Sequence, residues 1–325
     1  MIVLQRQIPH PNRVLETLTR RLPENHPDYK RIHDDYQRRT SGYRGEQSMD
    51  YYLRFLQPQD CSILHGLTLR YNGNKFQIDT LILFPKFALI IEIKNWTGKL
   101  QVTETGDFLR TDLPSEKLLQ DPIQQAKHQQ WQLQAWLKQR GHALTAVDHL
   151  VVLTHQNAII SNASVLHPKI IRHTHFIDTI HQLIAAHANN QPQPNTIATH
   201  LKNEHLTPTY NTNNLHTYDI QPPDIITGVH CPACSTTAMR KPNKHWICPH
   251  CRQHSRTAHI QAIQDYTLIH GRITTSRQIK DFLRIKHTQH ARRIMRSLGA
   301  HKQGTTKGAT YDLLTSPILQ QYLLH

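Results

Sequence analysis

The sequence lacks a long hydrophobic run. Its most apolar stretch, residues 81–93, is interrupted by Pro85, Lys86 and Glu92, whereas a membrane-spanning helix needs about 20 consecutive apolar residues. The apolar start, residues 1–6, is too short for the hydrophobic core of a secretory signal. We therefore expect a soluble, cytoplasmic protein that has no membrane partner.

Cysteine is scarce, with five residues in a chain of 325. Four of them form two pairs with the spacing of metal ligands, which favours a metal site over a disulfide framework and agrees with a reducing compartment. The fifth, Cys61, is expected to be a buried and unreactive thiol. No internal repeat is visible, and the length is sufficient for two or three domains with their own cores.

Acidic residues are few, with 23 Asp and Glu against 38 Lys and Arg, so the formal net charge is +15. The deficit lies mainly in one region: residues 229–325 contain 15 basic and 3 acidic residues, whereas the rest of the chain contains 23 and 20. A basic segment beside a nearly balanced one indicates that one end of the chain binds a polyanion, with nucleic acid as the first candidate.

Helix and strand patterns between residues 41 and 206 predict a mixed α/β core. Apolar residues at helical spacing predict a helix over 46–56, with Glu46 in its first turn. The pair Asp121-Pro122 is typical of the start of another helix. Strands are predicted on either side of an Asn-Gly turn, around Glu92, and before Thr154; helices would pack on the sheet that they form.

Two adjacent predicted strands each carry an acidic side chain. Asp79 interrupts the apolar run 76–84, and Glu92 ends the next run, two residues before Lys94. Side chains two apart on a strand share a face, so Glu92 and Lys94 point together. Charges in such surroundings are costly to bury without partners or a task. The pattern predicts a cage for a divalent metal ion at a phosphodiester.

Simpler interpretations remain open at this stage. Glu92 and Lys94 also fit a surface ion pair on an edge strand, and Asp79 fits a turn or cap residue. Glu46 fits a carboxylate that favours a helix dipole. Gln125, one of several glutamines in the following helix, fits a solvated surface.

Four short motifs follow one another within about residues 41–155. They are Gly42-Tyr43-Arg44-Gly45-Glu46, Gln77-Ile78-Asp79, Ile91-Glu92-Ile93-Lys94-Asn95-Trp96 with Gly98, and Asp121-Pro122-Ile123-Gln124-Gln125. Together they resemble the nuclease-related (NERD) domain of the PD-(D/E)XK nuclease superfamily. One departure is Asp121, where the family often has asparagine; either residue can cap a helix.

The resemblance implies a restriction-endonuclease-like mixed sheet flanked by helices. Asp79 and Glu92 would bind one or two Mg²⁺ or Mn²⁺ ions, and Glu46 would bind a second ion directly or through water. Lys94 would orient the attacking water and offset charge in the transition state. Gln125 would hold the water or the backbone in place.

The cysteine pairs are Cys231 with Cys234 and Cys248 with Cys251, in the pattern C-x2-C-x13-C-x2-C. Two such knuckles can place four thiolates tetrahedrally around Zn²⁺. A segment this short could not fold without the metal, so we expect a structural zinc ion. The segment resembles the C4 zinc ribbons in the tails of topoisomerases and other nucleic-acid enzymes.

The C-terminal region carries helical patterns at 274–283 and 288–298, followed by a glycine-containing hairpin at 302–314. This order resembles a winged helix-turn-helix module with 288–298 as its recognition helix. A protein-binding winged helix or a plain helical pair are the alternatives. The candidate nucleic-acid contacts are Arg292, Arg293, Arg296, Lys302 and Lys307.

These patterns predict five segments: a helical N-terminal extension (1–40), a nuclease-related domain (41–206), a linker (207–228), a C4 zinc ribbon (229–257) and a winged-helix-like domain (258–325). The function expected from them is metal-dependent hydrolysis of phosphodiester bonds, with DNA as the expected substrate. A non-catalytic nucleic-acid-binding regulator with an inactive nuclease fold, and an RNA-processing nuclease, are the alternatives.

Overall fold

The chain divides into two compact units. One combines Met1–Gln7 with Thr40–Thr207, and the other combines Ile8–Arg39 with Pro208–His325. A computed structural model describes residues 1–57, 59–105, 107–111, 116–142, 146–162, 167–190, 196–207, 214–235, 239–242, 245–305 and 308–323. None of the helices described there is both long and apolar enough to traverse a lipid bilayer.

The described part of the first unit contains ten strands, β1–β10, and four helices, α2–α5. The numbers follow the order of the elements along the whole chain. The strands are β1 (Ile2–Leu4), β2 (Ser62–Tyr71), β3 (Asn74–Leu83), β4 (Ala88–Lys94), β5 (Gly98–Val102), β6 (Phe108–Arg110), β7 (Lys117–Leu119), β8 (Val147–Leu153), β9 (Ala158–Ile160) and β10 (Ile170–Arg172). The helices are α2 (Tyr29–Leu53), which passes the unit boundary at Thr40, α3 (Pro122–Gln139), α4 (Phe176–Ala186) and α5 (Ile197–Asn203).

The main sheet has the order β1-β2-β3-β4-β8-β10. β2, β3 and β4 pair antiparallel, whereas β1, β8 and β10 run parallel to their neighbours. Side chains of β4 alternate between two apolar clusters: Ile90 lies with Trp136 of α3, and Ile91 lies with Met49 of α2 and Phe176 of α4. The sheet therefore has helices on both faces, which confirms the predicted mixed α/β class.

One position in the ladder between β2 and β3 is irregular. Gly66 and Asp79 face each other without pairing, although the residues on either side of them are paired. The φ of Gly66 is 58°. Leu64 and Leu67 contribute to the same apolar cluster although they are three residues apart, and the facing strand does the same with Ile78 and Leu81. Alternation is thus broken in both strands at one point, as at bulges that redirect a side chain.

A second, four-stranded sheet with the order β7-β6-β5-β9 was not predicted from the sequence. Three of its strands have only three residues, too few to show a period of two. Leu100 and Phe108 from this sheet pack with Ile123 and Ala126 of α3. The sheet therefore supports the start of α3.

The helix that carries Glu46 begins earlier than predicted. Glu46 lies well inside α2, so its expected position in a first helical turn is wrong. The helix continues through the two glycines before it. Gly45 allows close packing inside the first unit. A Cβ atom at Gly45 would lie 2.4 Å from Asn95 Cβ and 2.9 Å from Thr154 Oγ1, whereas one at Gly42 would meet nothing within 4 Å.

In the second unit, α1 (His10–Arg21) packs with α6 (Ala258–His270). The other elements described toward the C terminus are β11 (Trp246–Ile247), β12 (His254–Ser255), β13 (Ile273–Thr275), α7 (Ser276–Phe282), α8 (Thr288–Ser297), β14 (His301–Gln303), β15 (Thr310–Asp312) and α9 (Pro317–Leu323). β15 lies between β13 and β14 in a three-stranded antiparallel sheet.

Two segments differ from the sequence-based division. Leu15 and Leu18, expected in an N-terminal extension, are buried in the core of the second unit. Leu215 and Ile225, expected in a linker, are buried in the same core. The spacing of the apolar residues in the first segment indicates a helix but not what it packs against, and the apolar residues of the second segment are irregularly spaced.

The local expectations for the C-terminal helices are confirmed. Thr275 caps α7 by accepting a hydrogen bond from Gln278 N at 3.2 Å. In the second helix, Ala291, Ile294, Met295 and Leu298 recur at helical spacing, and all four are buried. Cys61 is likewise buried, as expected.

Gly45→Ala and Gly42→Ala form a matched pair within α2. We expect Gly45→Ala to lower the free energy of unfolding by about 1–3 kcal/mol, because the added methyl group has no space. We expect Gly42→Ala to raise it by about 0.5–1 kcal/mol, because alanine favours the helix. Urea denaturation of both variants measures the difference; equal effects would contradict the assigned packing.

Candidate active site

The two predicted acids lie where β3 and β4 stop pairing. The antiparallel ladder between these strands ends at Thr80 and Ile91, and the next residues are Asp79 and Glu92. Beyond that point, Ile93 N donates a hydrogen bond of 3.0 Å to Asp79 Oδ2 instead of to a backbone carbonyl. The irregularity in β3 therefore directs the Asp79 carboxylate toward the backbone of β4.

Glu92 is 1% exposed, and both of its carboxylate oxygens have partners. Lys94 Nζ lies 2.8 Å from Oε1, and Gln129 Nε2 donates to Oε2 at 2.8 Å. Lys94 Nζ also donates to Gln125 Oε1 at 2.8 Å. The four side chains form a connected polar group between β4 and α3.

Glu46 reaches the same region from α2. Arg6 NH1 donates to Glu46 Oε2 at 3.1 Å, and Arg6 also contacts Asp50 at 2.9 Å. Burial raises the pKa of Glu46 to about 7; the charge of Arg6 opposes this shift and the charge of Glu92 adds to it.

The pKa of Asp79 responds to the charges of the two other carboxylates, Glu92 and Glu46. Burial raises the pKa of Asp79 well above its usual value, and the charges of Glu92 and Glu46 raise it further. The hydrogen bond from Ile93 N and the charge of Lys94 act in the opposite direction. Three neighbouring carboxylates, of which Glu92 is buried and the other two are partly buried, are a site where a cation would relieve repulsion.

The structure brings together all five residues predicted for catalysis: Glu46, Asp79, Glu92, Lys94 and Gln125. An edge-strand ion pair is wrong for Glu92 and Lys94, because β4 lies between β3 and β8. A turn or cap role is wrong for Asp79, which lies inside β3.

Two contributors were missed from the sequence. Gln129 follows Gln125 by one helical turn, so helical spacing could have indicated that both point to one strand. Arg6 lies 40 residues before Glu46, and no local pattern connects them.

The ligand atoms of the four cysteines lie closer together than those of the acidic residues described above. In the described part of the chain, they are the one group of three or more Cys, His, Asp or Glu residues whose candidate ligand atoms all lie within 4.8 Å of one another. Cys231 Sγ lies 3.5 Å from Cys251 Sγ, and Cys234 Sγ lies 3.6 Å from Cys248 Sγ. Zn–S bonds of about 2.3 Å require sulfurs about 3.8 Å apart, so the cluster fits a zinc ion.

A basic groove lies beside α8 in the second unit. Arg292, Arg296 and Lys302 line it together with Arg277, and none of its described lining residues is acidic. Arg293 is exposed on α8 but is not among the lining residues. Lys307, also predicted as a contact, lies outside the described residues.

We expect Asp79→Asn to stabilise the metal-free protein at neutral pH. Because folding raises the pKa of Asp79, its ionisation favours the unfolded chain, and stability falls as pH rises above about 4. Each pKa unit corresponds to about 1.4 kcal/mol. Urea denaturation in the presence of chelator, between about pH 4 and about pH 8, measures the effect. The free energy of unfolding of the variant should exceed that of the native protein by an amount that increases with pH.

The exposed Asp178→Asn, at the start of α4, is the matched control and should give no such gain. An Asp79→Asn variant that is less stable than the native protein at neutral pH would contradict the assigned electrostatics.

Comparison with known proteins agrees with the extent of the motifs. Residues 41–154 match the family model of the nuclease-related domain, NERD. No curated protein and no solved structure matches the chain. The matched segment contains the acids of α2, β3 and β4, and the beginning of α3. This chain therefore contains, at residues 41–154, a nuclease-related (NERD) domain of restriction-endonuclease-like fold.

Proposed function

We propose that the chain is a nuclease that depends on Mg²⁺ or Mn²⁺ and hydrolyses phosphodiester bonds of DNA. The observation that carries this proposal is the position of Asp79 and Glu92 at the point where β3 and β4 separate, with Lys94 in contact with Glu92. Two acids and one ammonium group beside a gap in the sheet are suited to hold a metal ion against a phosphate.

The carboxylates of Asp79 and Glu92 would hold the ion, together with the carbonyl of Ile93, and Glu46 would hold a second ion directly or through water. The raised pKa values of Asp79 and Glu46 support this assignment, because they reflect buried negative charge that a cation would stabilise. When bound, the metal would lower the pKa of a water molecule and polarise the phosphoryl group.

Lys94 is a positioning and charge-stabilising group in this proposal. Its ammonium is held by Glu92 and Gln125, so little reorganisation is needed before it donates to the attacking water or to a phosphoryl oxygen. Gln129 keeps Glu92 in place from the next helical turn. Arg6 performs the same role for Glu46.

The second unit would deliver the nuclease to DNA. The four cysteines hold a structural Zn²⁺ in this proposal, since a site closed by four thiolates leaves no position for substrate. Residues 258–325 would form a winged helix: α6, α7 and α8 with the sheet β13-β15-β14 have the element order of that module. Reduced cysteines also favour the cytoplasm as its location.

Lys94→Ala should reduce cleavage by at least about 100-fold, because it removes a preorganised donor to developing charge. Asp79→Ala and Glu92→Ala should abolish cleavage while DNA binding is retained. Lys99→Ala, an exposed lysine of β5, is the matched control and should leave cleavage unchanged. The measurement is product formation from plasmid and single-stranded DNA with Mg²⁺ or Mn²⁺, before and after chelation.

Cleavage by Lys94→Ala at the native rate would contradict the proposed site. RNA assayed in parallel separates a ribonuclease from a deoxyribonuclease. Salt-sensitive binding without cleavage of either polymer, under both metals, would instead favour a non-catalytic regulator with an inactive nuclease fold.

The groove beside α8 predicts a specific salt dependence. Arg292→Ala together with Arg296→Ala should reduce the slope of log affinity against log salt by about two, or about one for each lost phosphate contact. Arg293→Ala, on the same helix but outside the groove, should change it less. Titration of a DNA duplex at several salt concentrations measures the slopes; an unchanged slope in the double variant would contradict binding there.

A further inference from the structure

Trp131 of α3 is unusual among the four tryptophans because its side chain is 55% exposed, whereas Trp136 and Trp246 are at most 1% exposed. Tyr71 packs against it edge to face, with ring centroids 5.6 Å apart and planes at 86°. The ring of His128 lies 6.0 Å from that of Trp131. The indole is thus supported by neighbours while much of its surface is open to solvent.

The surface beside Trp131 has no acidic residue among the described residues that line it. A shallow groove there is lined by Tyr71, Trp131, Gln134, Ala135, Lys138 and Gln139. The sequence contains no Asp or Glu between Asp121 and Asp148. The groove combines the aromatic rings of Tyr71 and Trp131 with the ammonium group of Lys138, which suits a polyanion that carries planar bases.

The exposed tryptophan shares a stripe of α3 with other exposed residues that leads toward the candidate active site. The members of this stripe are Gln124, Lys127, His128, Trp131, Gln134 and Lys138. Gln124 is next to Gln125, which contacts Lys94. At a rise of 1.5 Å per residue, Trp131 lies about 10 Å along the helix from Gln124, a distance covered by about three stacked nucleotides.

We propose that Trp131, supported by Tyr71, is a stacking platform for a nucleobase of single-stranded nucleic acid. Lys127 and Lys138 lie on the same stripe and would contact the flanking phosphates. Aromatic stacking and basic residues are the two components of single-strand binding that does not depend on base sequence. The proposal rests on the proposed nuclease function, since the bound strand would be the one presented to Asp79 and Glu92.

The test compares a short single-stranded oligonucleotide with a strand of equal length in which the bases are replaced by abasic sites. Both are titrated into the full chain with chelator present, so that no cleavage occurs. Trp131→Ala should bind the normal strand about 5- to 150-fold more weakly, the range expected for one stacked base. It should bind the abasic strand with native affinity, because the phosphate contacts remain.

Two further variants and a spectroscopic signal make the test specific. Trp131→Phe retains a ring and should keep most of the affinity. The normal strand should quench the tryptophan emission of the native protein, and Trp131→Phe should remove most of that quenching. Phe55→Ala, another exposed aromatic residue of the first unit at 57% exposure, is the matched control and should change neither measurement.

The outcomes separate this platform from the nuclease proposal. If Trp131→Ala weakens both strands equally or neither, the platform is wrong, even if the protein cleaves DNA. If Trp131→Ala changes only the association state, measured by sedimentation, the residue is a protein contact and the platform is also wrong. A base-dependent loss in a protein that cleaves nothing would support the platform and contradict the nuclease.

Discussion

Glu92 places a carboxylate in the interior of a six-stranded sheet, and the rest of the candidate site depends on how that charge is accommodated. β4 has a strand on each side, so the side chain has no access to bulk water. Lys94 and Gln129 supply one contact to each oxygen. A buried carboxylate needs such partners, because desolvation of an unpaired charge costs more than the folding of a small domain can supply. Gln129 can supply its contact because α3 packs against β4.

The partners of Glu92 do not neutralise the whole site. Burial and the charges of Glu92 and Glu46 raise the pKa of Asp79. Burial also keeps the pKa of Glu46 raised, although the charge of Arg6 lowers it. The fold therefore retains an arrangement that is unfavourable without a cation. Conflicts of this kind between stability and local chemistry concentrate at functional sites, which agrees with the nuclease-related domain found there.

The second unit depends on a different buried charge. Arg21 of α1 and Asp265 of α6 are both fully buried and lie 2.7 Å apart. Burial would raise the pKa of Asp265, but the charges of Arg21 and Arg20 lower it below its usual value. This pair links a segment near the N terminus to the C-terminal elements. It explains why residues 8–39 belong to the second unit rather than to a separate extension.

Local interactions were readable from the sequence by itself. The start of α3 is one example: Asp121 Oδ1 accepts a hydrogen bond of 2.7 Å from Ile123 N, an interaction between residues two apart. The acids of β3 and β4 were equally accessible because each is a charge within a local apolar run, and the cysteines because ligand spacing is local. Only the tertiary structure decided that Arg6 holds Glu46, that Gln129 holds Glu92, and that α1 packs with α6. Those contacts join segments that are far apart in the sequence, so no periodic pattern indicates them. The geometry of the contacts is set by the packing of whole helices and strands rather than by neighbouring residues.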